Sequence, residues 1–147
     1  MASLFLSSCH NHNIENKHLI LYNNTLGTEI ASFPINEDSS FSIKFIHSVN
    51  KSPVIDFYKF DKDNNIYVYK TIYYGFGAGV ETELEGNEIL EYGNDGSMIV
   101  SNISKRIDSL TYYLSSIYDH TLKIDDQVEQ SLWELCGKNV LIRIEIE

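Results

Sequence analysis

The chain has 147 residues, 43% hydrophobic and 12% aromatic with ten tyrosines, which suits one globular domain and excludes a disordered chain. Its 11 Lys+Arg against 21 Asp+Glu give a formal net charge of −10, which argues against nucleic acid and anionic lipid as partners and mildly favours a cationic ligand. No apolar run is long enough for a membrane-spanning helix, and the two cysteines, Cys9 and Cys136, have no zinc-type spacing.

At the N-terminus, Leu6-Ser7-Ser8-Cys9 is similar to the lipobox of bacterial lipoproteins, which makes Cys9 a candidate lipidation site. The charged and most of the apolar part of an export signal are missing ahead of it. Residues 1–16 are therefore expected to be a flexible segment, either a truncated lipoprotein signal and tether or a frayed terminus with an accidental match, and 17–147 a single β domain. His10 and His12 beside Cys9 suit a tether better than a metal site. Cys136 lies in an apolar segment, where a buried, inert thiol is expected.

Sheet-period segments follow one another along the rest of the chain. His18 to Tyr22 is expected as a first strand, and Asn23 to Gly27 as a turn. A second strand spans Thr28 to Ile35, with Pro34 marking an edge or a strand end. Phe41, Ile43 and Phe45 alternate with polar residues, and His47 continues their parity. Val54 to Phe60 is next, then the turn Asp61 to Asn65 and the strand Ile66 to Tyr74, with Tyr67, Tyr69 and Tyr73 on one parity. Strands are also expected at Glu88 to Tyr92, Met98 to Ile103, Leu110 to Leu114, His120 to Ile124 and Val140 to Ile146. Asp126 to Leu135 is the one helix candidate, with a loose 3.6 period that an irregular strand connection fits equally. Together these predict an all-β domain of about eight to ten short strands, an antiparallel β-sandwich or a partly closed β-barrel, with at most one short helix.

Two stretches stand out between the strands: His47-Ser48-Val49-Asn50-Lys51-Ser52-Pro53-Val54 with Asp56 beyond it, and Gly75-Phe76-Gly77-Ala78-Gly79. With Asp95-Gly96, His120 before Leu122, and Gly137 before the closing strand, this pattern resembles the bacterial domain-of-unknown-function family 1850 over nearly the whole chain from Lys17. The resemblance implies a small, all-β protein, often with an N-terminal export or membrane segment. It also implies a gene beside TAXI-type TRAP transporters, which import organic acids and related solutes. The chain departs from the pattern at Asp56, where glutamate is usual, and at Val80-Glu81-Thr82, where a proline is common.

His47 is the first site candidate. If the flanking strands pair as a hairpin, Asp56 can land diagonally across from it, within reach of a side chain or one water. Such a pair could anchor a ligand or act as a general base; alternatively the His47 ring ties down its own loop. Ser48 cannot be a nucleophile served by His47 in a regular strand, because neighbouring residues face opposite ways. The glycine loop lacks the following helix of a phosphate site and runs instead into Glu81, Glu83 and Glu85, so a turn, bulge or close backbone approach is expected. The tyrosine stripe suits cross-strand packing before ligand stacking, and the Glu81-to-Glu91 carboxylates a solvated face, without calcium-loop spacing.

The expected ligand-binding set is His47, Ser48, Asp56, Phe76, Gly77, Ala78, Gly79 and His120, with no catalytic residue, metal or cofactor assigned. The expected function is a non-enzymatic, extracytoplasmic cell-envelope domain that binds a small organic solute or a TRAP transporter component. It would meet the membrane only through a lipid anchor; an unprocessed N-terminus would leave it cytoplasmic. The alternatives are a His/Asp enzyme, metal-dependent or not, whose residues converge in one pocket, and a structural or protein-interaction module.

Overall fold

The computed structural model describes residues 16–75, 84 and 86–147. Through them run β1 (Lys17–Asn23), β2 (Thr28–Ile35), β3 (Phe41–Ile46), β4 (Pro53–Phe60), β5 (Ile66–Tyr73), β6 (Ile89–Tyr92), β7 (Met98–Ile107), β8 (Leu110–Leu114), β9 (Thr121–Ile124), β10 (Val128–Ser131), the one-turn helix α1 (Leu132–Cys136) and β11 (Val140–Ile146). All the strand pairs are antiparallel. They form a four-stranded sheet, β2-β1-β11-β8, and a seven-stranded sheet, β10-β9-β3-β4-β5-β7-β6. Neither sheet closes on itself among the described residues, so the architecture is the all-β sandwich rather than the barrel.

Alternation builds the core. In β11, Ile142, Ile144 and Ile146 are buried, while Arg143 and Glu145 between them and Leu141 before them are not. Leu19 and Leu21 of β1 lie opposite Ile146 and Ile144, and both are fully buried. Phe41, Ile43, Tyr58, Leu122 and Ile124 answer from the large sheet. Each such side chain contributes roughly 1.5–3 kcal/mol on burial. The first and last strands pair with each other at the centre of the small sheet, so that sheet forms only once the C-terminal strand is in place. Pro34 lies on β2, an edge strand, where a missing N–H costs no ladder bond.

Three expectations change. The region considered for a helix is half strand: β10 folds back on β9 through a turn in which Asp125 takes a left-handed backbone, φ 47°. Asp125 also accepts a bond from Ser40 N at 2.8 Å, so turn chemistry and cross-strand pairing outweigh a weak helical period. Only Leu132–Cys136 is helical, capped by Ser131 and stopped at Gly137, φ 83°.

β7 runs on to Ile107, past a bulge in which Asn102 has φ 58°. The partner strand β5 carries a bulge of its own, with Tyr69 extra between Val68 and Lys70. That extra residue inverts the alternation and splits the tyrosine stripe. Tyr69 packs on the outer face beside Phe57, whereas Tyr73 lines the inner side with Thr71.

Candidate functional site

The large sheet is wider than the small one, so the inner side of its β5–β7–β6 end is not roofed by the four-stranded sheet. A cleft of about 210 Å³ lies there. Its floor holds Asp56, Tyr58 and Thr71, its walls are Val68, Tyr73, Val100, Ile103 and Ile107, and Leu84, Glu88 and Lys105 also line it. The paired bulges turn Ile103, Lys105 and Thr71 to this side.

Asp56 comes from the inner face of β4 and would be surrounded by apolar groups but for a set of hydroxyls. Thr71 Oγ1 donates to Asp56 Oδ1 at 2.8 Å. Tyr112 and Tyr58 hydroxyls reach Asp56 Oδ2 at 3.3 and 3.4 Å and lie 2.6 Å from each other. Tyr112 belongs to β8, so this network ties the two sheets together at the mouth of the core. Burial pushes the Asp56 carboxyl above the usual carboxylate range, and the bonds from Thr71, Tyr112 and Tyr58 only partly offset it. Burial first, and the neighbouring charges of this cluster after it, raise both tyrosine hydroxyls, so both stay protonated; each has one proton, and one of the two donates across the 2.6 Å contact between them.

His47 is elsewhere. The β3–β4 hairpin does form, but its register sets Asp56 opposite Ile43, while His47 N bonds to Ser52 O at 2.9 Å. Four residues of strand, roughly 13 Å, therefore separate the position opposite His47 from Asp56, and the diagonal pairing does not occur. The His47 ring ties down its own loop: Nδ1 accepts from Val49 N at 3.2 Å, and its carbonyl accepts from Lys51 N at 3.0 Å. Ser48 is exposed on that loop.

His120 lies behind the network rather than in the cleft. Its ring stacks on Phe45 at 5.8 Å and meets Tyr112 edge-on at 5.7 Å. Its buried Nδ1 has no hydrogen-bond partner among the described residues. Burial pushes its pKa below the usual imidazole value, against the Asp119 carboxylate and the Tyr118 backbone. Asp119 is a hub: Oδ1 accepts from His120 N and Trp133 N, and Oδ2 from Ser131 Oγ. The Cys136 thiol is raised to about 11 by burial.

Of the second signature, Gly75 is described, while Phe76, Gly77, Ala78 and Gly79 lie outside the described residues, as do Cys9, His10, His12, Glu81, Glu83 and Glu85. Gly75 does allow a close approach: a β-carbon there would stand 2.7 Å from Ser52 Cβ and nearer still to Ser52 Oγ. The two signatures thus meet at the end of β5, where Tyr74 N also bonds to Pro53 O at 3.0 Å. Gly75→Ala is expected to cost about 1–3 kcal/mol through overpacking. In a double-mutant cycle by chemical denaturation, adding Ser52→Gly should recover most of that loss; purely additive losses would locate the strain elsewhere.

Among the described residues no group of three or more His, Cys, Asp or Glu side chains could hold a metal ion. Thr71, Tyr58, Tyr112 and Lys105 were not singled out from sequence, because the bulges and the sheet pairing that gather them leave no periodic trace. No curated protein and no solved structure matches the chain. A family model, Domain of unknown function (DUF1850), matches residues 41–130, a span that contains His47, Asp56, Tyr58, Thr71, Lys105, Tyr112 and His120. That span is more than half of the chain, which therefore belongs to the DUF1850 family.

Proposed function

We propose that this domain is a non-enzymatic binder of a small organic solute, with the Asp56 cleft as its binding site. The reading is carried by one observation: a desolvated carboxyl, bonded by neighbouring hydroxyls, faces an open cleft whose lining sets apolar side chains beside Thr71, Glu88 and Lys105. At about 210 Å³ the cleft matches the volume of roughly seven waters, the size of a small metabolite. Asp56 and Thr71 supply acceptors and a hydroxyl for a polar group. Lys105, the single cation among the described lining residues, supplies a counter-charge for an acidic one. The resemblance to a family encoded beside organic-acid transporters supports an accessory role in the cell envelope, with Cys9 as a lipid anchor.

The test is a thermal-shift screen of the full chain against organic acids, amino acids and sugars. A ligand at a hundred times its Kd adds about 2.7 kcal/mol, a melting shift of several degrees. Asp56→Asn should abolish that shift, while His47→Ala, outside the cleft, should keep it. A shift retained in Asp56→Asn and lost in His47→Ala would move the site to the β3–β4 loop and overturn the reading.

A further inference from the structure

The outer face of the large sheet is charged unlike the rest of the molecule. Because Phe41, Ile43, Tyr58 and Leu122 point into the core, their neighbours along each strand point out. The register aligns Lys123, Ser42, Phe57, Lys70 and Ser101 in one row across five strands, and Thr121, Lys44, Ile55, Ile72 and Ile99 in the next. A third row carries Lys59, Tyr67 and Arg106. Five of the chain's 11 cations therefore share one face of a protein with 21 acids. In the first two rows the carboxylates stand at the sheet edges, Glu129 on β10 and Glu91 on β6. Asp126, 3.3 Å from Lys123, and Asp108, 3.4 Å from Arg106, are exposed groups at the rim.

Aromatic rings are interleaved with these cations. Lys70 Nζ lies 4.0 Å from the Phe57 ring centroid and Lys59 Nζ 5.9 Å from that of Tyr69, which restrains both ammonium groups. A shallow groove of about 310 Å³ runs beside them, bounded by Phe57, Tyr69, Ser42 and Lys123, with Asp125 and Asp126 on one wall. We propose that this face binds an anionic polysaccharide, its carboxylates on the lysine rows and a sugar ring in the groove against Phe57 and Tyr69. The rings offer an apolar surface to a sugar face, Ser42 offers a hydroxyl, and the ammonium rows complement the polymer charge. A bilayer fits less well: Ile89 continues the first row at the β6 edge, but other strongly exposed apolar side chains, such as Leu26, Tyr113 and Ile117, lie off this face. The −10 net charge opposes any polyanion at long range, so binding depends on the local cation rows, and duplex DNA, with its dense phosphate charge, meets that repulsion most strongly.

The experiment is affinity electrophoresis of the full chain in gels containing polygalacturonate, with neutral dextran, phosphatidylglycerol vesicles and duplex DNA in parallel assays. Polygalacturonate should retard the protein, and the retardation should fade as salt rises. Lys70→Gln with Lys123→Gln should weaken it about tenfold, as should Lys44→Gln with Lys59→Gln if the first pair melts early. Tyr69→Ser should weaken it at unchanged charge, and Lys51→Gln with Lys138→Gln, off the face, should not. The proposal is overturned by absent retardation at low salt, by equal retention on dextran, by vesicles or DNA binding as tightly, or by an equal loss in the off-face pair.

Discussion

Asp56→Asn should melt higher than the wild-type protein above the raised pKa of Asp56, and the difference should close as the solution is acidified. The reason is the raised pKa of the folded-state carboxyl. Between the ordinary carboxylate value and that raised value, the folded chain binds more protons than the unfolded one. The stability contributed by protonated Asp56 is therefore fully present below about pH 4 and is lost as pH rises through the raised folded value. Above that raised value the folded wild type holds a carboxylate that burial opposes, whereas asparagine keeps an acceptor oxygen without the charge. Asp56→Ala behaves differently. It strips the acceptor from Thr71, Tyr58 and Tyr112, and leaving those hydroxyls short should cost about 2–3 kcal/mol. Calorimetric melts of both variants from pH 3.5 to 8 check this; a constant gap for Asp56→Asn across that range would refute it. A carboxyl kept at the expense of stability beside an open cleft is what a binding residue looks like.

The second large effect belongs to Asp119. Its carboxylate accepts from two backbone amides and from the hydroxyl that caps α1, and so joins the loop before β9 to the start of the helix. The same loop is held by Trp133 Nε1, which donates to Ser115 O at 2.8 Å. Asp119→Ala leaves three donors without their acceptor and removes a negative charge from a helix N-terminus. The expected loss is about 3 kcal/mol, or roughly 6–12 °C in melting temperature for a domain of this size. Asp119→Asn, which keeps one acceptor oxygen, should lose less than half as much. Urea titration of both variants measures this directly. Equal losses would mean that the charge, rather than the hydrogen bonds, holds the loop.

Most strands were legible from residue order because period-2 alternation is written locally: the parity of Phe41, Ile43 and Phe45, or of Ile142, Ile144 and Ile146, requires one buried face. The edge position of β2 was legible from Pro34 for an equally local reason. The family was legible too, because the His47-to-Asp56 stretch and the glycine stretch carry the resemblance that the family model bears out. Which histidine meets which acid was not. Counting residues across the β3–β4 connection allowed a His47–Asp56 diagonal, but the hairpin bond from His47 N to Ser52 O sets a register that places Asp56 opposite Ile43. Register depends on the turn and on both flanking strands at once, so a local pattern leaves it open. The same holds for the bulge at Tyr69, which sends Tyr73 inward and gives the cleft Thr71. Alternation and punctuation thus belong to the sequence, since each is a property of a few adjacent residues. The Asp56 network and the basic face belong to the fold, since both arise where strands distant in the chain come side by side.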